Sequence, residues 1–354
     1  MKDVLIVGSG IAGCSLAWKW YFEGKSVALA GDRCKGSSAV AAGVFNPTIL
    51  KRFTSVWKAQ EQLQYLKVFY REIEKLTGAR LLYDSPILRR FHDDKEAQTW
   101  VKKAHREDLK HFIRPSVEDV DIDGIRAVDG FGLVDCAGWL DTLEFMQVTQ
   151  SFFDRSGSFI PSHVEHSSLV HHDNHVEYNG HSYHKILFAE GYALRDNPFF
   201  NNLPLQGNKG EVITIKVPGL KMDYTVKSSV FIMPYKEDLF WVGATYNRHD
   251  LTDTPTQDGI DFLTSRLESF MTLPYEIIEH KYGIRPITVD RRPFIGQHPE
   301  FKNYYIFNGM GSRAVLIAPW ASQMLFDHLY RQEELHSEVN INRFNEGLLF
   351  LCRS

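Results

Sequence analysis

The chain opens on VLIV, a β-branched run suited to a strand covered on both faces, and passes through GSGIAG into CSLAWKWYF, an apolar stretch suited to a helix. A second apolar run, SVALA, follows Gly24 at the distance that a parallel βαβ unit requires. Further on, Leu63, Leu66, Phe69, Tyr70, Ile73 and Leu76 recur at the spacing of one helix face. They predict a helix from Trp57 to Leu76, stopped by Gly78 and expected to pack between domains. Residues 96–112 read as a polar, histidine-bearing helix, and the segment from Leu140 to Gly157 as another with an apolar stripe.

Strands dominate the next part. Between Ser162 and Glu190, alternating runs are divided by HDN and by Asn179-Gly180, a tight-turn signal, which predicts an antiparallel meander leading into the buried strand KILFAEG. EVITIKV, SVFIMPY and FWVGATY are rich in β-branched and aromatic residues and suit a mixed antiparallel sheet. YYIFN, a glycine-containing turn and a helix from about Arg313 to Tyr330 then return to the strand-then-helix order of the start. The expected fold is α/β, with a discontinuous Rossmann-like nucleotide-binding domain of residues 1–80, 136–204 and 284–330. A second domain of residues 81–135 and 205–283 is built on the mixed antiparallel sheet, and residues 331–354 form a C-terminal tail.

Composition narrows the class. The 354 residues are 44% apolar and 24% charged, with a net charge of -4, which suits a buried core and excludes a disordered tail or a uniformly basic nucleic-acid binder. Cys14, Cys34, Cys136 and Cys352 have neither CxxC spacing nor the density of a disulfide scaffold, so a cytoplasmic, reducing setting is expected. The uncharged stretch from Val4 to Trp18 falls short of the roughly 20 apolar residues a membrane span needs. A signal-peptide reading is set aside because Asp3 interrupts the basic start.

Gly8, Gly10 and Gly13 match GxGxxG between a strand and a helix. The first allows the turn, the second lets backbone approach a pyrophosphate, and the third lets helix and strand pack closely, with the anion at the helix N-terminus. The pattern alone leaves NAD and FAD open. Asp32 is the acid in reach of an adenosine ribose, one place later than the motif predicts, and Arg33 beside it could instead meet a phosphate.

On VLIVGSGIAG, GSSAVAAGVFNP, KILFAEG, YGIRPITVDRRPFIGQHP and GMGSRAVLIAP, the sequence resembles the FAD-dependent amine oxidases related to D-amino acid oxidase, glycine oxidase and sarcosine oxidase. GIRP and RPFIGQHPE are most similar to glycine oxidase. GSR and the off-register acid are most similar to the oxidase half of the bifunctional tRNA 5-methylaminomethyl-2-thiouridine enzyme. The resemblance implies noncovalent FAD, with Ile11 and Ala12 at the pyrophosphate, Ala41, Ala42 and Gly43 facing the flavin ring, Val164 at the adenosine, and Gly191 among the cofactor contacts. It also places Met310, Gly311, Ser312, Arg313, Ala314 and Val315 along the isoalloxazine edge. Gly31 stands where the family usually has the ribose-binding glutamate.

The same resemblance puts Arg285 of GIRP at a substrate carboxylate, and its chemistry agrees, because a guanidinium offers two parallel donors to a carboxylate fork. The alternative is a structural ion pair with a buried Asp or Glu. Arg313 and the helix it opens could stabilise negative charge arriving near flavin N1 and the C2 carbonyl; otherwise it is a helix-start residue turned to solvent. Arg291 and Arg292 read as surface residues.

The histidines at 163, 166, 171, 172, 175, 181 and 184 invite a metal reading, but strands would scatter them over both faces, so no metal is expected. KKAHREDLKHFIR is broken by Glu107 and Asp108 and reads as a solvated helix face, while Tyr235, Trp241 and Tyr246 are candidates for a pocket lining or for core. The expected activity is dehydrogenation of a carboxylate-bearing amine, with hydride passing to flavin N5, imine hydrolysis by water and reoxidation by dioxygen. A carboxymethylamino group borne on a tRNA wobble uridine is the alternative substrate.

Overall fold

The computed structural model describes residues 1–344, so Cys352 and the end of the 331–354 tail lie outside the described residues. The opening run forms β1 (Lys2–Val7), whose last four residues are all buried, as a strand covered on both faces requires. It leads into helix α1 (Ile11–Phe22) and then β2 (Val27–Ala30), which pairs in parallel with β1. Phe159–Ile160 lies outside β2, and His181–Phe188 pairs in parallel on the other side of β1. The C-terminal half of His181–Phe188 takes Tyr304–Asn308 as a parallel neighbour, and its N-terminal half takes the hairpin strand Val176–Tyr178. Asn179 and Gly180 both hold positive φ, at 50° and 74°, the backbone that a two-residue hairpin turn of matched twist demands.

A seven-stranded sheet forms the second layer, in the order Glu276–Thr288, Leu205–Lys216, Leu239–Gly243, Phe231–Lys236, Thr225–Lys227, Ile87–Arg90 and Phe131–Val134. Every pairing in it is antiparallel except Thr225–Lys227 with Ile87–Arg90. Glu276–Thr288 and Leu205–Lys216 pair along nearly their whole length, so a domain boundary between residues 283 and 284 would cut a single strand. Gly138–Leu140 pairs with Val44–Phe45 and Leu82–Asp84 in a small third sheet.

The amphipathic helix spans Ala59–Thr77 and stops at Gly78, which holds φ 73°. Its buried face is Leu63, Leu66, Phe69, Tyr70 and Ile73, while Leu76, expected on that face, is exposed. The main partner of this helix is Ala314–Tyr330, which also packs against α1, rather than the second sheet. The expected helix at 96–112 runs instead from Asp94 to Ala104. Asp93 caps its start by accepting from the Glu96 amide, and a series of turns follows His105. In that segment Arg106, Lys110 and Arg114 are paired with Asp108, Glu107 and Asp135, which leaves little free positive charge for a phosphate backbone.

Ala314–Tyr330 contains Pro319 inside its second turn. Proline has no N–H, so the Val315 carbonyl four residues earlier loses its helical donor. The Tyr70 hydroxyl replaces it, donating to Val315 O at 3.1 Å from within the core. Tyr70→Phe should therefore strand a buried carbonyl and destabilise the fold by about 1–3 kcal/mol. Urea unfolding of the two proteins measures this, and an unchanged midpoint would show that the carbonyl finds another donor.

Candidate active site

Distant parts of the chain meet where β1 ends. Gly8 holds φ 107°, and a Cβ there would lie 2.4 Å from the Ala189 carbonyl oxygen. A Cβ on Gly13 would fall 1.7 Å from Gly8 O, so helix and turn touch through a glycine that nothing can replace at that spacing. Gly10 begins α1 with no side-chain cap, and Ser38 Oγ accepts from Ile11 N at 3.2 Å. The amides of Ala12 and Gly13 have no acceptor among the described residues outside α1 and are left for an external one at a positive helix end.

The short helix Ser37–Val40 and the residues after it continue the site. Gly43 holds φ 70° with its Cα packed onto Leu140 O, and Thr142 Oγ1 donates to Ala41 O at 3.0 Å. Ala41 and Ala42 line a cleft whose opposite wall is the second sheet, including Tyr235, Trp241 and Lys281, with Trp139 beside them. Trp241 Nε1 in this wall has no hydrogen-bond partner among the described residues. Tyr235 and Trp241 thus serve as cleft lining.

The C-terminal segments close the arrangement. Gly283 lies against Ser37, Ile287 is bridged to Met310, and a Cβ on Gly309 would meet Thr288 Cγ2 at 2.4 Å. GIRP and GMGSR are therefore side by side, and Gly311 turns the chain with φ 56°. Met310 and Val315 are buried, Gly311 and Ala314 half-buried, and Ser312 exposed.

Arg285 is half-buried and paired across the ladder with Asn208. Its Nη1 donates to Asn208 Oδ1 at 3.0 Å and to Thr245 O at 3.3 Å, and Tyr246, itself exposed, lies 5.8 Å away. No carboxylate of the described residues pairs with it, and loss of water pushes its pKa down. The structural ion pair considered for Arg285 is absent among the described residues. The neighbouring buried cation differs in this: Lys209 has Asp250 at 2.8 Å and Glu211 at 3.8 Å. Nη2 and Nε of Arg285 thus remain as a free fork, resting against Gly210, where a Cβ would come within 2.0 Å of the guanidinium. Buried Asn208 keeps an unpartnered Nδ2 beside it.

Arg313 is also without a carboxylate among the described residues. It donates from Nη1 to Asn46 O at 3.1 Å, and desolvation together with the Arg291 charge pushes its pKa down to about 10. The solvent-facing alternative for Arg313 does not fit that placement. Arg292, by contrast, pairs with Glu338 at 3.1 Å, and His298 Nδ1 accepts from the amides of Glu300 and Phe301 as a turn residue.

Gly31 has a physical reason to be glycine: a Cβ there would stand 2.7 Å from both N and Oγ of Ser9. Asp32 is exposed, with Lys35 at 3.3 Å, and its carbonyl accepts from Ser9 Oγ at 2.7 Å. Arg33 is exposed and engaged by Asp154 at 2.6 Å, so the side chain weighed for a phosphate is directed to a carboxylate instead. Val164 is buried with Leu5, Val7, Ala28 and Ala30, and the Gly191 carbonyl accepts from Asn308 Nδ2 at 3.0 Å. Sequence reasoning missed Ser38, Asn46, Asn208 and Gly210. Each acts through a partner far along the chain, and only strand register could have revealed Asn208.

Comparison with known proteins agrees with this geometry. The family described as "DAO: FAD dependent oxidoreductase" matches residues 3–328. The glycine oxidase of Bacillus licheniformis is 23% identical over 350 residues, covering 92% of each chain. The bifunctional protein ThiO/ThiG of Synechocystis sp. is 23% identical over 94% of this chain, and the tRNA 5-methylaminomethyl-2-thiouridine biosynthesis bifunctional protein MnmC of Legionella pneumophila is 22% identical over 86%. The matched regions span 52% and 47% of these two bifunctional relatives. Among solved structures, glycine oxidase from Bacillus cereus superposes with TM-score 0.77 at 18% identity, covering 95% of this chain and 97% of that one. Iminodiacetate oxidase from Chelativorans sp. gives 0.75 at 18% identity, covering 95% and 98%.

The residues fit FAD: a glycine cradle that any Cβ would fill, an uncapped helix N-terminus for the pyrophosphate, and at Arg313 a desolvated cation lacking a protein anion. From the glycine turn at one end of the sequence to the GSR segment at the other, the chain belongs to the DAO family of FAD-dependent oxidoreductases.

Proposed function

We propose that this chain dehydrogenates an amine whose adjacent carbon bears a carboxylate. The observation that carries this reading is the guanidinium of Arg285, beside the GMGSR segment, whose Nη2 and Nε have no partner and which lacks any protein carboxylate among the described residues. A substrate carboxylate would take two parallel charge-assisted hydrogen bonds there, and the Asn208 Nδ2 donor lies close by. That grip fixes the carbon-nitrogen unit relative to the GMGSR edge. Hydride leaves the carbon and a proton leaves the nitrogen, and water hydrolyses the resulting imine to an oxo acid and a free amine. FAD, when bound, would supply the two-electron acceptor for that hydride, with dioxygen as the final oxidant and peroxide as its product.

The substrate names of two relatives, glycine oxidase and iminodiacetate oxidase, both describe carboxymethylamines, which supports this class. A carboxymethylamino group on a tRNA uridine has the same fork-binding end, and the match to MnmC supports it as the second reading. Peroxide release by the purified flavoprotein, measured with glycine, sarcosine, iminodiacetate, D-amino acids and undermodified tRNA, separates them. We expect turnover of at least one carboxymethylamine and none of the corresponding decarboxylated amine. Equal rates with and without the carboxylate would sink the reading.

A further inference from the structure

We propose that His172, His175 and Glu177 form a site for one divalent transition-metal ion of zinc-like ligand preference, on the hairpin at the edge of the nucleotide-binding sheet. The hairpin joins Val170–His171 to Val176–Tyr178, with Val170 opposite Glu177 and His171 opposite Val176. The His172 amide donates to His175 O at 3.0 Å, which continues the ladder by one pair. Side chains alternate between faces, so residues 172, 175 and 177 fall on one face and His171 on the other. The expected scattering of histidines therefore holds for His171, which packs on Phe301, and fails for its neighbour.

One donor atom from each of the three residues lies within 4.8 Å of the others. Glu177 Oε1 stands 3.5 Å from His175 Nε2 and 3.7 Å from His172 Nε2. Ligands bound at about 2.0–2.1 Å in a tetrahedron are separated by about 3.4 Å, so a metal fits the gap with little adjustment. As hydrogen bonds these distances are poor. His172 Nε2 is shielded from water and has no hydrogen-bond partner among the described residues.

The surroundings favour metal over a plain ion pair. The imidazoles are stacked with centroids 4.3 Å apart and planes 5° from parallel, and both Nε2 atoms face the same Glu177 oxygen. His175 Nδ1 faces Asn174 Oδ1 at 2.9 Å, an acceptor that suits the tautomer with the proton on Nδ1 and the Nε2 lone pair free for a metal. The turn is held in place by Asn303 Nδ2, which donates towards the carbonyls of His172 and Asp173 at 3.3 and 3.4 Å. Two imidazoles and one carboxylate leave a coordination position open to water.

Calorimetric titration of the chelator-treated full chain with zinc chloride tests the assignment, with cobalt(II) absorption as a readout of tetrahedral geometry. One equivalent is expected to bind at micromolar concentration. The triple variant H172Q/H175Q/E177Q should weaken binding by at least about a hundredfold. The control variant H181Q/H184Q should leave it unchanged. Matched thermal melts of the variants establish that each is folded. Binding weaker than about 1 mM in the unaltered protein, or equal binding by the triple variant, overturns the proposal.

Discussion

Arg285→Ala should raise KM for the amine substrate by about tenfold to a thousandfold while flavin content stays the same. The hydrogen bonds of Arg285 among the described residues go to Asn208 Oδ1 and Thr245 O, so its removal leaves no unpaired carboxylate behind and the fold is expected to survive. What is lost is the fork, and a substrate held equally in ground and transition states shows that loss in KM more than in kcat. R285K keeps the charge without the fork and should fall between the two proteins. Gly210→Ala should reproduce much of the defect with the charge still present, since its Cβ would occupy the place of the guanidinium. Steady-state kinetics on the flavin-loaded proteins decide the matter, and an unchanged KM in Arg285→Ala would remove this residue from substrate binding.

Gly13→Ala should yield a protein that purifies without flavin. The added Cβ would lie 1.7 Å from Gly8 O, well inside any permitted contact, and the obstacle is backbone that cannot rotate aside. Either α1 is pushed off β1 or the Gly8 turn deforms, and both movements carry the free Ala12 and Gly13 amides away from the pyrophosphate position. The visible absorbance of the purified variant, and of its supernatant after denaturation, measures the loss. A yellow variant with full flavin content would mean that the turn and helix do not hold the cofactor as described.

The nucleotide-binding part was legible because its signals are local. VLIV, the glycine turn, the Ala59–Thr77 stripe and Asn179-Gly180 each carry their own geometry within a few residues. The polar helix ending at Ala104 was overextended because the turns beyond it carry histidines, charges and apolar residues at spacings that imitate a helix face. The candidate site divides in the same way. Arg285 and Arg313 stood out as candidates through the resemblance of their motifs, but their lack of a carboxylate among the described residues depends on acids far along the chain and could emerge only from the fold. Asn208 and Ser38 were invisible for a related reason: one is defined by register across more than seventy residues, the other by a contact between a loop and α1. The scattering of the histidines over both faces fails at 172 and 175 because alternation was applied to each strand singly, whereas the turn places 172 opposite 175.

The pairing of Lys209 with Asp250, set beside an Arg285 that has no such partner, ties ligand occupancy to folding. A polypeptide that pairs Lys209 internally and leaves Arg285 and Arg313 without a carboxylate among its described residues is electrostatically incomplete around the site. Each anion that docks favours the native ensemble over the denatured one by mass action. Cofactor and substrate are in that sense the last contributors to the tertiary structure, and the concentration of small carboxylates around the protein sets part of its thermal resilience.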